Sequence, residues 1–281
     1  QTTYLIEEGR KRWIQKFDTG YEQFYTLYTT GEARHNRWIY PALLEKDGVW
    51  TLITEAGINK GHSGSFMANE GNRQNYKLFL AENNGPNFTG NWVSPWRVLI
   101  VGSLADVTES TLVTDVSDEC RISDASEWIQ LGTASWVYWA YNHGSKDYAI
   151  VDKYIDMAHT LNLPYVLIDW EWDVMGNGGT IDDACKKAKE LGILPLVWYN
   201  STTAWIQGAA GPLWRLNKKE DREREFAWLA EKGVAGIKVD FFDGDKRETM
   251  DYYIDILESA ARHHLVVNFH GATIPRGWQR T

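Results

Sequence analysis

The chain has 281 residues, of which 43% are hydrophobic, and its formal net charge is −9. This length favours one large domain or two medium ones, with enough apolar residues for a sizeable core. The negative charge argues against nucleic acid or an anionic membrane as the main partner. No apolar run comes near the roughly 18 residues of a membrane-spanning helix. Cys120 and Cys185 match no metal or redox spacing and are predicted to form no disulfide.

Aromatic residues are unusually frequent, with 15 Trp and 14 Tyr. Indole and phenol rings combine a flat apolar face with a polar edge, which suits stacking on sugar rings. Most of the individual rings are expected in a hydrophobic core, but the excess as a whole favours a carbohydrate ligand.

Neither end of the chain has the pattern of a natural terminus. Gln1 opens a polar stretch without the basic and apolar segments of an export signal. At the other end, Thr281 follows shortly after a predicted strand and a turn with Pro and Gly. The chain is therefore predicted to be part of a longer protein.

Residues 1–115 have the pattern of β-structure. Short runs rich in branched and aromatic residues predict strands at 49–55, 76–83 and 96–102, and turn signals such as Asp47-Gly48 separate the runs. No helical period of useful length occurs here. The segment is predicted to be the C-terminal part of a β-sandwich domain, and residues 116–133 are predicted to be a linker.

From residue 134 the pattern changes to alternating strands and helices. Apolar runs of strand length occupy 134–140, 164–170, 194–199, 236–242 and 265–270. Amphipathic stripes at 151–161 and 250–261 predict two of the intervening helices. Thr180 with Asp183 and Asn217 with Glu220 are predicted N-terminal caps, and Gly192 and Gly233 are predicted to follow helix ends.

This alternation predicts parallel βαβ units. Residues 134–281 are therefore interpreted as the first five βα units of an incomplete (β/α)8 TIM-type barrel, giving an α/β fold preceded by part of an all-β sandwich. A doubly wound sheet is the alternative. It is less favoured because no Gly-rich phosphate turn follows the first strand, and because acidic and aromatic residues collect at the strand ends.

Polar and aromatic side chains cluster where these predicted strands end. The carboxyl ends of barrel strands converge on one mouth. Carboxylates, an amide, a Lys, a His and an indole suit a sugar pocket better than a metal cage. The candidate residues for this pocket are Asp169, Trp172, Asn200, Lys238, Asp240 and His270.

Asp240 is the strongest catalytic candidate in this set. Strand alternation puts it on the same face as Lys238, two residues earlier. A carboxylate beside a cation stays ionised at neutral pH and can attack carbon.

Other roles remain open for the same residues. Asp240 and Lys238 could form a structural ion pair, and His270 could be a hydrogen-bonded core residue. Asp169 could cap a turn. Asp245 is predicted to be a solvated loop acid.

Four motifs resemble glycoside hydrolase family 97, and most closely its retaining α-galactosidase branch. They are LPYVLIDWEWD, LVWYNS, GVAGIKVDFFDGD and HHLVVNFHGATIPRGWQRT, and they cover most of 134–281 in the same order. WTLITEAGI and SPWRVLIVG resemble the N-terminal sandwich of the same family.

The resemblance implies a role for several positions. Asp240 matches the nucleophile of the retaining branch, and Lys238 matches a Lys that contacts sugar hydroxyls. Asp169 and His270 fall near the substrate in the related enzymes. Glu55 matches a Glu that the sandwich lends to a calcium ion, so a calcium cofactor is expected.

Two departures from the family pattern bear on mechanism. The inverting branch carries Glu where this chain has Gly271, and another Glu near Asn200. Their replacement here, with Asp240 present, implies retention of anomeric configuration. The family's general acid/base Glu lies beyond the point that corresponds to Thr281, so these residues hold at most half of the catalytic pair.

The expected activity is hydrolysis of terminal α-galactosides with retention, on an oligosaccharide or glycoside substrate. An α-glucosidase of the same family and a non-catalytic carbohydrate-binding fragment are the alternatives. From the family, the protein is expected in the periplasm or outside the cell.

Overall fold

A computed structural model describes residues 2–29, 34–71, 73–81, 90–91, 93–142 and 144–277. The chain forms two compact units. The first comprises the described residues of Gln1–Arg121, Asp243–Ile254 and Thr273–Thr281, and the second comprises Ile122–Phe242 and Asp255–Ala272. The domain boundaries predicted at residues 115 and 134 stay predictions. Two segments from the second half of the chain, Asp243–Ile254 and the described residues of Thr273–Thr281, belong to the first unit. Within the described ranges, no helix combines the length and apolarity needed to cross a bilayer.

The first unit is built on an antiparallel sheet, which agrees with the prediction of β-structure for residues 1–115. The strands found in its described residues are β1 (Thr3–Leu5), β2 (Lys11–Lys16), β3 (Thr26–Tyr28), β4 (Trp38–Lys46), β5 (Val49–Ala56), β6 (Ser65–Ala68), β7 (Asn75–Leu80) and β8 (Trp96–Gly102). The three predicted strands correspond to β5, β7 and β8. The last two residues of the prediction at 76–83 lie outside the described part of the chain.

Strand β4 divides this sheet into two arms. One edge of β4 pairs with β2. Along its other edge, Trp38 pairs with Met67 of β6, and residues 42–46 pair with β5. On this second edge the sheet therefore divides. The strands β6, β7 and β1 continue it from the start of β4, and β5 and β8 continue it from the end of β4. Buried side chains of β4, including Trp38, Tyr40 and Leu44, form the centre of the main hydrophobic cluster. The packing of these strands into a sandwich stays a prediction.

Two short helices follow β8, where no helix was predicted. They are α1 (Leu104–Glu109) and α2 (Leu112–Asp115). The Ser103 hydroxyl accepts from the Asp106 N–H, and the Asp106 carboxylate accepts from the Ser103 N–H. This reciprocal cap starts α1. Each helix spans fewer than two turns, so neither produces a hydrophobic period that could be recognised in the sequence.

The second unit contains a parallel sheet whose strand order follows the chain. Among the described residues the order is β9 (Ala134–Trp136), β10 (Tyr165–Ile168), β11 (Leu194–Asn200), β12 (Gly236–Asp240) and β13 (Val266–Phe269). A doubly wound sheet reverses direction at a switch point, and no reversal occurs between these strands. The predicted first strand is shorter than expected because residues 138–141 form a helix.

Helices precede and connect these strands. In chain order they are α3 (Ala125–Trp128), α4 (Tyr138–Tyr141), α5 (Tyr148–Thr160), α6 (Ile181–Glu190), α7 (Lys219–Glu231) and α8 (Arg247–Arg262), with a 3₁₀ turn at Trp172–Val174. The cap predicted at Thr180 is confirmed, because its N–H donates to Asp183 at 2.8 Å. The cap predicted at Asn217 is wrong. α7 begins after Lys218, and the Asn217 amide instead donates to the Ser201 carbonyl at 3.1 Å.

Both predicted glycine stops are confirmed. Gly192 and Gly233 have φ values of +71° and +77°, a region that glycine enters without steric cost. At the end of α6 the Ile193 N–H donates to the Ala188 carbonyl at 2.8 Å, and at the end of α7 the Val234 N–H donates to the Leu229 carbonyl at 3.0 Å.

Candidate active site

The strand register places the chemically important residues on one face of the parallel sheet. Trp198, Lys238 and Asn268 are neighbours in one row, and Asn200 and Asp240 are neighbours in the row after it. Residues two apart on a strand point to the same side. Lys238 and Asp240 therefore share a face, as the sequence predicts.

The Asp240 carboxylate lies at the centre of the site and is only 3% exposed. Its Oδ2 accepts from the Lys238 ammonium, from His270 Nδ1 at 2.9 Å and from Trp198 Nε1 at 3.2 Å. Its Oδ1 accepts from the Phe241 N–H at 2.9 Å. Three side-chain donors thus converge on one oxygen, while the other oxygen is bonded to backbone.

These contacts also fix the tautomer of His270. Burial raises the pKa of Asp240, but the hydrogen bond from His270 and the charge of Lys238 outweigh burial and lower the pKa to about 2. Asp240 is therefore an anion at neutral pH, and a ring nitrogen 2.9 Å from it must carry the proton. Lys238 Nζ and His270 Nδ1, 3.3 Å apart, consequently donate to the same oxygen and not to each other.

Two indole rings surround the Lys238 ammonium. Its Nζ lies 5.6 Å from the ring centroid of Trp136 and 5.9 Å from that of Trp198. A cation over an aromatic face is stabilised by the ring quadrupole. The Lys238 side chain is nearly buried, so this attraction and the Asp240 carboxylate together offset the cost of removing the ammonium from water.

Trp136 also connects Lys238 with Asp169. The Trp136 indole N–H donates to Asp169 Oδ2. Asp169 is fully buried, its Oδ1 accepts from the Trp170 N–H at 2.7 Å, and its own N–H donates to Ser145 Oγ at 2.6 Å. A single side chain, the Trp136 indole, therefore lies between Asp169 and the Lys238–Asp240 pair. Its contact with a sugar stays a prediction.

Gly271 lies beside Asp240 Oδ1. Its φ is +51°, and a Cβ at this position would lie 2.8 Å from Asp240 Oδ1 and 3.1 Å from the Phe241 nitrogen. Real Cβ atoms essentially never come as close as 2.8 Å to another heavy atom, and 3.1 Å is tighter than most real contacts. A residue with a side chain here is therefore incompatible with Asp240 in its present position.

The other two predicted substrate-binding residues are placed differently. Trp172 packs on Tyr199 and Trp228, at ring-centroid distances of 5.6 Å and 6.0 Å. Tyr199 points to the opposite face of β11 from Trp198, so Trp172 lies apart from the Asp240 group. Asn200 neighbours Asp240, but its amide donates to the Trp205 carbonyl at 3.3 Å and accepts from the Thr202 N–H at 2.8 Å. Asn200 therefore stabilises the loop after β11 through hydrogen bonds to its backbone.

Aromatic rings cover the ends of β10, β11 and β12. Trp198 makes edge contacts with Trp170 at 5.8 Å and with Phe241 at 5.9 Å. Trp205 contacts Phe241 at 4.8 Å and Trp170 at 5.8 Å. Trp136 and Trp205 were not predicted from the sequence, because neither belongs to a motif or a period. The excess of Trp and the position of Trp136 at the end of β9 were the available signals.

Glu55 lies in the first unit, and its carboxylate is saturated by protein donors. Its Oε1 accepts from Arg276 Nη1 at 2.6 Å and from the Ser65 N–H at 3.0 Å. Its Oε2 accepts from the Ser65 hydroxyl and from Arg97 Nη1 at 3.1 Å. Two carboxylate oxygens offer about four acceptor positions, and all are used.

This arrangement does not fit a calcium ligand. Calcium takes carboxylate oxygens that face an open, oxygen-rich cage, whereas Glu55 is fully buried against two guanidinium groups. Across the described ranges, no three His, Cys, Asp or Glu side chains group as a metal site. Calcium as a cofactor of this chain stays a prediction from the family resemblance.

Arg276 was not anticipated, and it links Glu55 with a second acid. Its Nη2 lies 2.9 Å from Asp245 Oδ2 and also donates to the Tyr21 hydroxyl. The prediction that Asp245 is a solvated loop acid is wrong. Asp245 is 3% exposed because the loop carrying it packs in the first unit, where Arg276 neutralises it.

Comparison with known proteins agrees with the motifs. The family profile "Glycoside hydrolase 97" matches residues 128–281, and "Glycosyl-hydrolase 97 N-terminal" matches residues 1–118. A Streptomyces bingchenggensis protein named "Probable retaining alpha-galactosidase" is 32% identical over the whole chain. A Bacteroides thetaiotaomicron protein named "Retaining alpha-galactosidase" is 29% identical over 66% of the chain. The chain covers 44% and 28% of the lengths of these two relatives.

Solved structures resemble the chain over its whole length. A protein described as a β-arabinopyranosidase superposes with a TM-score of 0.88 and 30% identity, covering 100% of this chain and 48% of its own. A family 97 glycoside hydrolase from Pseudoalteromonas sp. strain K8, in complex with panose, gives a TM-score of 0.80 at 16% identity. That match covers 98% of this chain and 47% of the other. At such low identity the second likeness concerns the fold alone.

Proposed function

This chain belongs to glycoside hydrolase family 97, and from that premise we propose that it carries the nucleophile of a retaining α-galactosidase. The observation that carries the proposal is the state of Asp240. Its carboxylate is ionised, with a pKa lowered to about 2, and its Oδ1 is held only by a backbone N–H among the contacts of the described residues. A nucleophile needs such an oxygen.

In the proposed reaction, Asp240 Oδ1 attacks the anomeric carbon while the bond from that carbon to the leaving oxygen breaks. A carboxylic acid outside the described residues, expected beyond Thr281, protonates the leaving oxygen. Water then attacks the glycosyl ester, its proton passes to the same carboxylate, and Asp240 is released. Two inversions give net retention, and they require carboxyl groups roughly 5–5.5 Å apart.

The donors on Oδ2 give Asp240 its orientation in this scheme. Lys238, His270 and Trp198 hold one oxygen and thereby direct the other toward the substrate. Gly271 supports retention, because a Glu there, as in the inverting branch, would bring its Cβ against Oδ1. The chain-order parallel sheet supports its interpretation as five strands of a (β/α)8 barrel. No step is assigned to calcium, since Glu55 does not fit a ligand.

A second candidate substrate is a β-l-arabinopyranoside. It is favoured by the 30% identical structure described as a β-arabinopyranosidase. This sugar has the ring configuration of an α-d-galactoside without the C6 hydroxymethyl group. The nucleophile and its donors suit both substrates. Whether the site has room for the C6 hydroxymethyl group of galactose decides between them.

Substrate class and stereochemistry are tested together in the full-length protein. We expect kcat/KM for an aryl α-galactoside to exceed that for the α-glucoside by at least about 100-fold, since a mispaired hydroxyl leaves buried polar groups unbonded. Proton NMR should detect α-galactose as the first product. Faster turnover of the aryl β-l-arabinopyranoside would transfer the proposal to that substrate. First release of the β-anomer would refute retention.

Lys238→Met should move the acid limb of the kcat/KM profile to higher pH. With the ammonium gone, burial raises the pKa of Asp240 from its present value of about 2. The carboxylate then protonates, and activity is lost, at a pH where the wild type is still fully active. Lys187→Met is the control, because Lys187 pairs with Asp152 at 2.6 Å on the helices of the same unit. An unchanged acid limb in Lys238→Met would contradict this role.

A further inference from the structure

We infer that Trp205 is the stacking platform for the sugar ring that Asp240 attacks, and hence a specificity-determining residue. The inference rests on the proposed function and adds a residue to it. Trp205 is 46% exposed although it lies among packed aromatic rings at the strand ends. Its position follows from how the loop after β11 is attached.

The loop 201–205 is bonded to the backbone of the nucleophile and of the residue after it. The Ser201 N–H donates to the Asp240 carbonyl at 2.8 Å. The Phe241 carbonyl accepts from the Ser201 hydroxyl at 2.7 Å and from the Ala204 N–H at 3.3 Å. Phe241 has a φ of +65°, which is unusual for a bulky residue. The loop therefore fixes the turn that follows Asp240, and Trp205 is held to the same turn.

The ring of Trp205 touches the residue after each of the two carboxylates. It meets Phe241, which follows Asp240, edge-on at 4.8 Å and 87°. It meets Trp170, which follows Asp169, at 5.8 Å and 62°. A ring bound between Asp240 and Asp169 would thus lie beside Trp205. This placement points to the glycone and not to the leaving group.

The chemistry of the exposed indole indicates what it binds. A half-exposed Trp contributes less to a core than a buried one, and its exposed surface remains available for an apolar partner. The axial and equatorial C–H groups of a pyranose form such a partner, and galactose presents a continuous C–H patch on one face. Hydrogen bonds from Lys238 and other polar side chains near Asp240 would hold the hydroxyls while Trp205 holds that patch.

The test compares Trp205→Ala and Trp205→Phe with wild type in the full-length protein. For Trp205→Ala we expect KM for the aryl α-galactoside and Ki for free galactose to rise together, each about tenfold or more. We expect kcat to fall much less. Trp205→Phe should recover most of the affinity, because it restores an aromatic face. The thermal midpoint of each variant checks that the fold is kept.

Trp96→Ala is the matched control, because Trp96 is a 57% exposed indole on β8 of the first unit. It should leave both constants unchanged. If Trp205→Ala changes KM but not the galactose Ki, the residue binds the leaving group and the inference is overturned. If it changes neither while Asp240→Asn abolishes turnover, the inference fails and the proposed function stands. If the wild type neither turns over nor binds galactose, arabinopyranose or glucose, both fail.

Discussion

Replacing Asp240 with Gly in the full-length protein should lower turnover of an aryl α-galactoside by about 10³-fold or more. The substitution removes the atom that forms the covalent bond and leaves space at the anomeric carbon. Added azide should restore part of the rate and yield β-galactosyl azide, because the anion enters from the face that Asp240 used. Asp240→Asn should be as inactive as Asp240→Gly but insensitive to azide, since its amide still fills the space.

Asp152→Asn is the matched control for these variants. Asp152 is a partly exposed acid of the same unit, paired with Lys187, and it should leave turnover unchanged. Rescue that gives the α-azide would show that a covalent glycosyl-enzyme still forms, so that Asp240 would be the acid/base and not the nucleophile. More than a few per cent of residual activity in both Asp240 variants would remove Asp240 from its proposed role.

Arg276→Met should lower the free energy of unfolding of the first unit by about 3–5 kcal/mol. The variant removes the fully buried cation between Glu55 and Asp245 and leaves two carboxylates without their main partner. Breaking a buried ion pair from one side costs about this much, because the remaining charge is neither solvated nor paired. Urea unfolding followed by Trp fluorescence measures the change.

Arg262→Met provides the comparison for an ordinary surface pair. Arg262 is half-exposed and bonds Glu223, so its loss should cost less than about 1 kcal/mol. The double variant Glu55→Gln with Arg276→Met should recover part of the loss, since one stranded charge is gone. A destabilisation by Arg276→Met no larger than that of Arg262→Met would show that the buried cluster contributes little.

The sequence predicted those parts of the site that depend on local periodicity. The two-residue repeat of β12 puts Lys238 and Asp240 on one face, and the parallel sheet brings His270 to them. Gly192 and Gly233 were recognisable because helix ends need a left-handed residue. Each of these features is decided within one element or by the order of the strands.

The remaining features depend on contacts that no local pattern encodes. Arg276 meets Glu55 across 221 positions of sequence, so neither the saturation of Glu55 nor the burial of Asp245 could be foreseen. Substrate contacts of Trp172 and Asn200 stay predictions, and strand ends alone do not say which way a following side chain turns. Trp136 and Trp205 were missed because an isolated Trp has no signature besides composition.

The three-segment make-up of the first unit has a consequence for how the protein can be divided. Residues 2–121 supply Glu55 on β5 and one of its two guanidinium partners, Arg97, whereas the second partner, Arg276, comes from the third segment. During synthesis, Arg276 is added about 155 residues after Arg121, so Glu55 gains this partner late. An isolated N-terminal piece would keep the Glu55–Arg97 ion pair but would lose the hydrogen bond from Arg276 to the buried Oε1. The segment that matches the N-terminal family profile, residues 1–118, is consequently expected to be less stable alone than within the whole chain.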